Sequence, residues 1–466
     1  MNVTRREASR LVLTSLAVAW GRALGLPAAA STRTAPGSKV VVIGAGMAGV
    51  CAARQLHDAG FQVVVLEARQ RVGGRTWTDR SLGVPLDLGA SWIHGLRRNP
   101  MTRLAKRQGV ELFHWDYEQQ AVFDTTGAEA DADDVSWASE RLEWMFFRRA
   151  GRVIRRNPQA SVQDIVDAAV ANGDFDDLTS VQLEFLVNSA VEASFAADAD
   201  RISAASLLEG SEYRGGDAVF PGGYDVLARG LAQGLDVRLG EQVKRIALEE
   251  GGVSVETSQG RHRADATVVT VPLGVLKAGG IAFEPMLPAA KQRAIRAMEM
   301  GVLNKTYLRF PRAFWDRDRM NLVRIAQPKG AWAYWINVAS YTGEPVLCCL
   351  NPAGFGTRLE ALSDDAIVDD AMAVLRSMYG NNLPAPTGSL ITRWRRDPFA
   401  YGSYSFIPTG ASHGMRRDLA EPVAGRLFFA GEATESDHPS TVHGAYLSGQ
   451  RAAEEVIDAS FRRSRR

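Results

Sequence analysis

Gly44, Ala45, Gly46 and Gly49 stand between the apolar run Val40–Ile43 and a helical stretch, and a second apolar run from Phe61 ends on Glu67, 23 positions after Gly44. In a strand–helix–strand unit the first glycine makes the tight turn and the second lets the backbone approach a pyrophosphate. The third packs helix on strand, and the acid accepts ribose hydroxyls. A lone G-x-G-x-x-G says little, but here strand, loop, helix, strand and acid all fall where a dinucleotide needs them. Directly after the acid comes Glu67-Ala-Arg69-Gln-Arg-Val-Gly73-Gly74-Arg75. Paired glycines offer bare N–H groups to an anion, and arginine offers a fork of donors. That is more phosphate chemistry than a minimal nicotinamide site requires.

Further candidates lie along the chain. Lys305 sits in Gly301-Val-Leu-Asn304-Lys305-Thr-Tyr-Leu-Arg-Phe310, a run of strand formers. Desolvation disfavours a charged lysine, so on spacing alone it reads as a surface residue that snorkels. His94 lies in Ser91-Trp92-Ile-His94-Gly95, where a single histidine is usually bonded to a backbone group. Trp394-Arg-Arg-Asp-Pro398 leads into Gly402-Ser403-Tyr404-Ser405, on its own a turn and an edge strand with packed aromatics. Leu427-Phe-Phe-Ala-Gly431-Glu432-Ala-Thr434 reads as a buried strand turning into a loop, with a helix starting near Thr441. A helix N-terminus carries roughly half a positive charge, which suits an anionic ligand.

The segment from Glu67 to Arg75 resembles the E-x-R-x-x-x-G-G-R signature of FAD-dependent amine oxidases, and the likeness extends over nearly all of 38–458. It implies an α/β fold in which a Rossmann-like FAD-binding domain is interleaved with a substrate domain of mixed sheet and helices. It implies FAD bound, without a covalent link, by Gly44, Ala45, Gly46, Gly49, Glu67, Arg69, Gly74, Arg75, Ser91, Trp92, Val243, Trp394, Gly431, Glu432, Thr441 and Val442. The non-covalent reading rests on Ser403, which stands where monoamine oxidases carry the cysteine that bonds the flavin. Lys305 matches the family's L-N-K lysine, which holds a water against the flavin N5 atom and assists proton handling and reaction with oxygen. Trp394 would lie beside the flavin, with Tyr404 as an aromatic wall and Thr441 opposite it. Many monoamine oxidases have tyrosine at that second wall. Threonine is similar to spermine oxidases and histone lysine demethylases and leaves room for secondary or bulky amines.

The substrate side follows from the same resemblance. The stretch around His94 is close to the G-A-x-W-I-H-G-x-x-x-N-P of polyamine oxidases, which implies that His94 lines the substrate channel. Trp92 stands where many L-amino-acid oxidases have an arginine that clamps the substrate carboxylate, and tryptophan cannot do that. Distal ammonium groups of a polyamine need carboxylates, and among Glu192, Asp198, Asp200, Glu209 and Glu212 the first choice is Glu192. The implied reaction passes a hydride equivalent from a small-molecule amine to FAD. Dioxygen then gives hydrogen peroxide, and hydrolysis of the imine gives an aldehyde and an amine. An L-amino-acid oxidase, a flavin desaturase and an FAD-binding protein without oxidase activity stand as alternatives.

The elements that must position these residues are legible in part. Apolar residues recur at helical spacing in 162–170 and 181–191, within a mostly helical stretch from Met101 to about Leu208 that Glu129–Asp134 interrupts as an acidic surface loop. A glycine-rich segment to Gly223 precedes a helix from about Tyr224. Residues 235–272 read as a β-meander with glycine turns, 300–350 alternate like strands, and 364–379 form an amphipathic helix. Cofactor-like segments therefore recur at 38–100, 215–285 and 420–458, separated by the substrate-side segments 101–214 and 286–419.

Composition sets the frame. The chain has 466 residues, a hydrophobic share of 46% and a net charge of +1, which fits a globular protein of two or three domains and gives no basic excess for nucleic acid. Arg148 to Arg156 reads as a solvated helix face or loop, and 459–466 as a frayed basic tail. Arg5-Arg6, the apolar stretch Leu11–Trp20 and the small residues after Leu26 resemble a twin-arginine export signal over 1–30, although Ala8 and Ser9 replace the usual Phe-Leu. That places the mature chain in the periplasm or outside the cell, without a stable membrane span. The three cysteines make no disulfide framework, and the seven histidines show no metal-ligand spacing, so no metal is expected.

Overall fold

The computed structural model describes residues 37–464, so the leader segment lies outside the described residues. Runs of valine with few polar interruptions form strands that are buried on both faces, as a parallel sheet requires. Gln62–Leu66, Lys39–Ile43 and Ala266–Val269 are such runs, and with the exposed edge strand Asp236–Arg238 and the buried Leu427–Phe429 they make one parallel sheet in the order Asp236–Arg238, Gln62–Leu66, Lys39–Ile43, Ala266–Val269, Leu427–Phe429. Val42 lies opposite Val65 on one side and Val268 on the other. From Lys39–Ile43 the chain steps first to one neighbour and much later to the other, and such a reversal opens a crevice at the carboxyl ends of the strands. The glycine loop sits at that end. The helix Met47–Asp58 follows it and packs against the long final helix Val442–Ser464, with Val50, Ala52, Ala53, Ala452, Ala453 and Val456 buried in the same core.

A second, seven-stranded sheet carries Lys305. Its order is Gly388–Ile391, Leu303–Arg309, Val346–Pro352, Tyr334–Asn337, Asn321–Arg324, Gln120–Phe123, Glu129–Ala130. The helix Asp364–Tyr379, capped by Ser363, lays Ile367, Ala371, Met372 and Leu375 against Leu308, Trp335 and Leu347 of this sheet. Cys348 and Cys349 are both buried in its Val346–Pro352 strand, and Cys51 is buried on the glycine-loop helix. A small third sheet joins Trp92–His94 to Asp217–Val219, which also pairs with Phe113–Trp115.

Several local readings change. The expected meander keeps Val243–Glu249, Gly252–Thr257 and Arg261–Ala264, but Asp236–Arg238 and Ala266–Val269 belong to the parallel sheet. Short apolar runs look alike whether their partner is the next hairpin or a distant strand. The stretch after Met101 contains strands at Phe113–Trp115 and Gln120–Phe123 before its helices begin. Glu129–Asp134 is the end strand Glu129–Ala130 and the start of the helix Ala132–Arg156 rather than a loop. Residues 459–464 continue the final helix, since no glycine or proline follows Gly449 to stop it.

Candidate functional site

The glycine loop is built for close approach. Gly44 adopts φ 101° and donates its N–H to the Leu66 carbonyl at 2.8 Å, which folds the loop back over the sheet. A Cβ on Gly49 would lie 1.9 Å from the Gly44 carbonyl oxygen, so only glycine fits where helix and loop touch. Gly46 precedes the helix and offers no side chain to cap it, which leaves the first N–H groups open to an anion. Glu67 accepts from the Ala45 N–H at 2.7 Å and the Arg69 N–H at 2.8 Å. A carboxylate has about four lone-pair sites, so capacity for hydroxyl donors is left. Gly73 lies alongside and donates to the Ala45 carbonyl at 2.8 Å. Val243, buried, opens the strand just after Glu241, whose N–H donates to the Glu67 carbonyl at 2.8 Å.

The arginines divide the work in a way that spacing did not reveal. Arg69 pairs with Asp397 at 2.7 Å, and Arg75 pairs with Glu432 at 2.8 Å while also donating to the Ser403 carbonyl at 3.0 Å. Both therefore tie the cradle to segments far along the chain. Arg71 is the residue the sequence reading passed over. Its Nη1 donates to the Gly74 carbonyl at 2.8 Å and its guanidinium lies 4.3 Å from the Trp77 ring centroid. Its Nη2 is buried with no acceptor among the described residues. Burial, with the like charge of Arg69, lowers its pKa to about 10. An unmatched buried donor costs about 1–3 kcal/mol. An uncapped helix start, open space beside Gly46 and the unpartnered Arg71 Nη2 together fit a bound dinucleotide pyrophosphate.

Lys305 sits at the meeting point of the segments. It is 3% exposed, and its Nζ donates to the carbonyls of Asp87 and Gly89 at 2.7 Å each and to Ser91 Oγ at 2.5 Å. Burial lowers its pKa, with the Asp87 carboxylate pulling the other way. Asp87 itself is raised to about 6 by burial. The Nζ lies 5.6 Å from the ring centroid of Trp92, whose Nε1 is another buried donor without a partner among the described residues. Asn304, beside Lys305, holds the next segment in place: its Oδ1 accepts from the Trp394 N–H at 3.0 Å, and its Nδ2 donates to Glu360 at 2.7 Å. Trp394 then donates its Nε1–H to the Leu88 carbonyl at 3.1 Å. Ser403 Oγ is engaged on both sides by the Leu303 backbone, at 2.8 and 3.0 Å.

Gly431 and Glu432 close the cradle from the other side. Gly431, at φ 126°, donates to Ser448 Oγ at 2.9 Å, and a cleft runs between Arg75, Pro272, Leu273, Gly431 and Glu432. Thr441 Oγ1 donates to the His438 carbonyl at 2.8 Å and accepts from the Gly444 N–H at 2.9 Å, capping the final helix that Val442 begins. Its hydroxyl is committed to the backbone, so only its methyl is left to face a ligand. Thr441→Ala is therefore expected to lower stability by about 1 kcal/mol, seen as a fall in Tm that Thr441→Ser does not show.

On the substrate side, Tyr404 donates its hydroxyl to the Ala193 carbonyl at 2.7 Å, which fixes the ring. His94 Nδ1 lies 2.7 Å from Asp217 Oδ2. Its side chain is 61% exposed to solvent, and the bond to Asp217, with the Glu212 charge, raises its pKa against the desolvation of the ring. Glu212 is exposed, and its charge acts on His94 from the segment before Asp217. Glu192 does not fit the role given to it. It is 0% exposed, its Oε1 accepts from Lys329 at 2.6 Å and the Ala199 N–H at 2.9 Å, and its Oε2 accepts from Asn188 at 2.8 Å. Both oxygens are used to hold the π-helical turn Asn188–Glu192, so Glu212 and Asp217 are the carboxylates beside His94.

Comparison with known proteins adds to this geometry. The sequence profile of flavin containing amine oxidoreductases matches residues 47–457. The chain is 37% identical over 444 residues to polyamine oxidase 4 of Oryza sativa subsp. japonica, spanning 89% of this chain and 88% of that protein. It is 38% identical over 435 residues to polyamine oxidase 2 of Arabidopsis thaliana, spanning 89% and 87%. A solved structure of a putrescine oxidase with putrescine bound superimposes with a TM-score of 0.77 at 20% identity, over 91% of this chain and 99% of that one, so the two share a fold.

Proposed function

The chain belongs to the flavin-containing amine oxidoreductases, and from that membership we propose that it oxidises polyamines, with FAD as cofactor and dioxygen as the second substrate. The observation that carries the reading is Lys305, a buried lysine held by three acceptors where the Asp87–Ser91 segment, the Trp394 segment and the start of the Trp92–His94 strand meet. When bound, FAD supplies the two-electron acceptor. The residues that would hold it are Gly44 to Gly49, Glu67, Arg69, Arg71, Gly74, Arg75 and the Gly431–Glu432 turn.

This chain's own side chains do the rest. Lys305 gives up its proton more readily than a free lysine because burial disfavours its charge, so it acts as a proton relay at Nζ. The Tyr404 ring, pinned through its hydroxyl, forms a fixed wall, and Thr441 leaves the opposite side open. Trp92 presents no guanidinium to a carboxylate, which favours amines over amino acids. Glu212 and Asp217 put negative charge beside His94, where a distal ammonium group would rest. Ser403, locked to the Leu303 backbone, leaves the flavin without a covalent tether. Water hydrolyses the imine product to aldehyde and amine, and oxygen leaves as hydrogen peroxide. The Arg5-Arg6 leader would carry the folded protein out of the cytoplasm.

The test is peroxide release by the purified mature protein with spermine, spermidine, acetylated polyamines, putrescine, tyramine and L-amino acids. Turnover of polyamines without turnover of amino acids is the expected result. Turnover confined to amino acids would mean that a residue other than one at position 92 binds the carboxylate, and the reading would fail.

A further inference from the structure

The sheet register puts Asp217 in the middle strand directly opposite both His94 and Trp115. Its carboxylate is side-chain buried to 8% exposure, and the described contacts occupy both oxygens. Oδ1 accepts from the Gly95 N–H at 2.9 Å, while Oδ2 accepts from the Tyr117 hydroxyl at 2.8 Å and meets His94 Nδ1 at 2.7 Å. We propose that Asp217 is a positioning residue: it holds His94 with Nδ1 as donor, so that Nε2 is left as a bare acceptor for an ammonium nitrogen of the substrate. The proposal rests on the polyamine reading above.

The tautomer follows from the partner's chemistry. An ionised carboxylate only accepts, so the nitrogen facing it carries the proton and the other nitrogen of a neutral imidazole does not. Burial would favour the protonated acid, yet the bonds from His94, Gly95 and Tyr117 keep Asp217 below the usual carboxylate range. Tyr117 stays protonated because burial and the Asp217 charge push its pKa well up, so it is a donor throughout. The ring plane is fixed as well: Trp92 stacks on His94 at 6.4 Å and 18°, and the same indole lies under Lys305 Nζ. No hydrogen bond to Nε2 is found among the described residues, and the His94 side chain is 61% exposed.

The charges around His94 set the direction of its titration. Asp217 lies on the facing strand and Glu212 on the segment before it, and both raise the imidazole pKa against the lowering effect of burial. The final helix contributes His443, which burial, with help from His438 and His94, holds neutral at a pKa of about 3. Tyr117, in the turn after Phe113–Trp115, and Tyr334, on a strand of the seven-stranded sheet, are neutral. Below its pKa His94 becomes a cation, Nε2 turns from acceptor to donor, and it repels an ammonium group. KM for a polyamine should therefore rise as pH falls through the His94 titration.

The test uses holoenzyme labelled at the histidine Cε1 carbons, with the His94 resonance identified by its absence in His94→Gln. In Asp217→Asn the His94 midpoint should fall by about one pH unit, the effect of losing an adjacent charge. Tyr117→Phe should move it the opposite way, because a carboxylate relieved of one donor binds the imidazolium proton more strongly. Asp217→Glu should restore most of the wild-type midpoint. With spermidine, Asp217→Asn should raise KM about tenfold at high pH, the loss of one hydrogen bond to a charged group, with kcat changed less than twofold. An unmoved midpoint in both variants, or a moved midpoint with an unchanged KM profile, overturns the proposal. If the midpoints move as expected and no polyamine is turned over by the wild type, the substrate reading falls and the acceptor role for a polyamine falls with it, while the Asp217–His94 geometry stands.

Discussion

Lys305→Met is expected to lower amine turnover by at least about a hundredfold, the lower end of what a positioned proton-transfer group contributes. Methionine matches the lysine stem as far as Cε and removes the amine, so the Gly89 carbonyl and the Ser91 hydroxyl lose their donor while the Asp87 carbonyl keeps only the Tyr307 hydroxyl. Each unsatisfied buried acceptor costs about 1–3 kcal/mol, so the variant should also melt earlier. The two effects separate on measurement: flavin content by absorbance and Tm report the fold, and peroxide release per bound flavin reports the chemistry. A second signature is the pH dependence of stability. The folded pKa of Lys305 lies below that of an unfolded lysine, near 10.4. In the window between them the unfolded chain binds a proton that the folded one has shed, so this group makes stability rise with pH there. Lys305→Met should flatten that rise. Turnover per flavin equal to wild type would remove Lys305 from the chemistry, whatever its effect on Tm.

What could be seen in the amino-acid sequence was what lies close together in it. Gly44 to Glu67 is one contiguous unit, and the fold places its parts where their order suggests. The Asp364–Tyr379 helix was equally plain, because a 3.6-residue apolar period needs no distant partner to declare itself. The pairings that complete the site join residues far apart. Arg69 meets Asp397, Arg75 meets Glu432 and His94 meets Asp217, and each depends on strand register and sheet order. Asp217 did leave a trace, a charged residue opening the apolar run Asp-Ala-Val-Phe between glycine pairs. Glu192 shows the opposite case. An acid in a helical stretch looks solvent-facing, and nothing nearby in sequence announces that Lys329 will bury it. The strands at Asp236–Arg238 and Ala266–Val269 were misassigned for the same reason: local alternation describes a strand but not its neighbour.

Glu432→Gln should be the most destabilising single-residue change in the cradle. Glu432 is 5% exposed and joins three segments through one side chain. Its Oε1 accepts from Arg75 at 2.8 Å, and its Oε2 accepts from the Ser405 hydroxyl at 2.6 Å. Ser405 Oγ in turn accepts from Arg416 at 2.9 Å, and Arg416 is itself buried, with its pKa lowered by that burial. Glutamine keeps the shape and the Ser405 bond but leaves two guanidinium groups without their shared anion. Removing one partner of a buried ion pair costs about 3–5 kcal/mol, mostly from the stranded charge. Because Arg75 and the Gly431 turn flank the cofactor cleft, the loss should extend to flavin retention, and the variant should purify with substoichiometric cofactor. The acid limb supplies an independent check. Burial alone would raise the Glu432 pKa, but the charge of Arg75, the Ser405 bond and Arg416 outweigh it and hold the folded value below the unfolded one. Stability from this group is then fully present above about pH 4.3 and is lost as pH falls through the folded pKa. Denaturation curves at a series of acidic pH values should show a shallower loss in Glu432→Gln than in the wild type. A variant with full flavin, unchanged denaturation midpoint and the wild-type acid limb would show that the Arg75–Glu432–Ser405–Arg416 chain does not hold the cradle together.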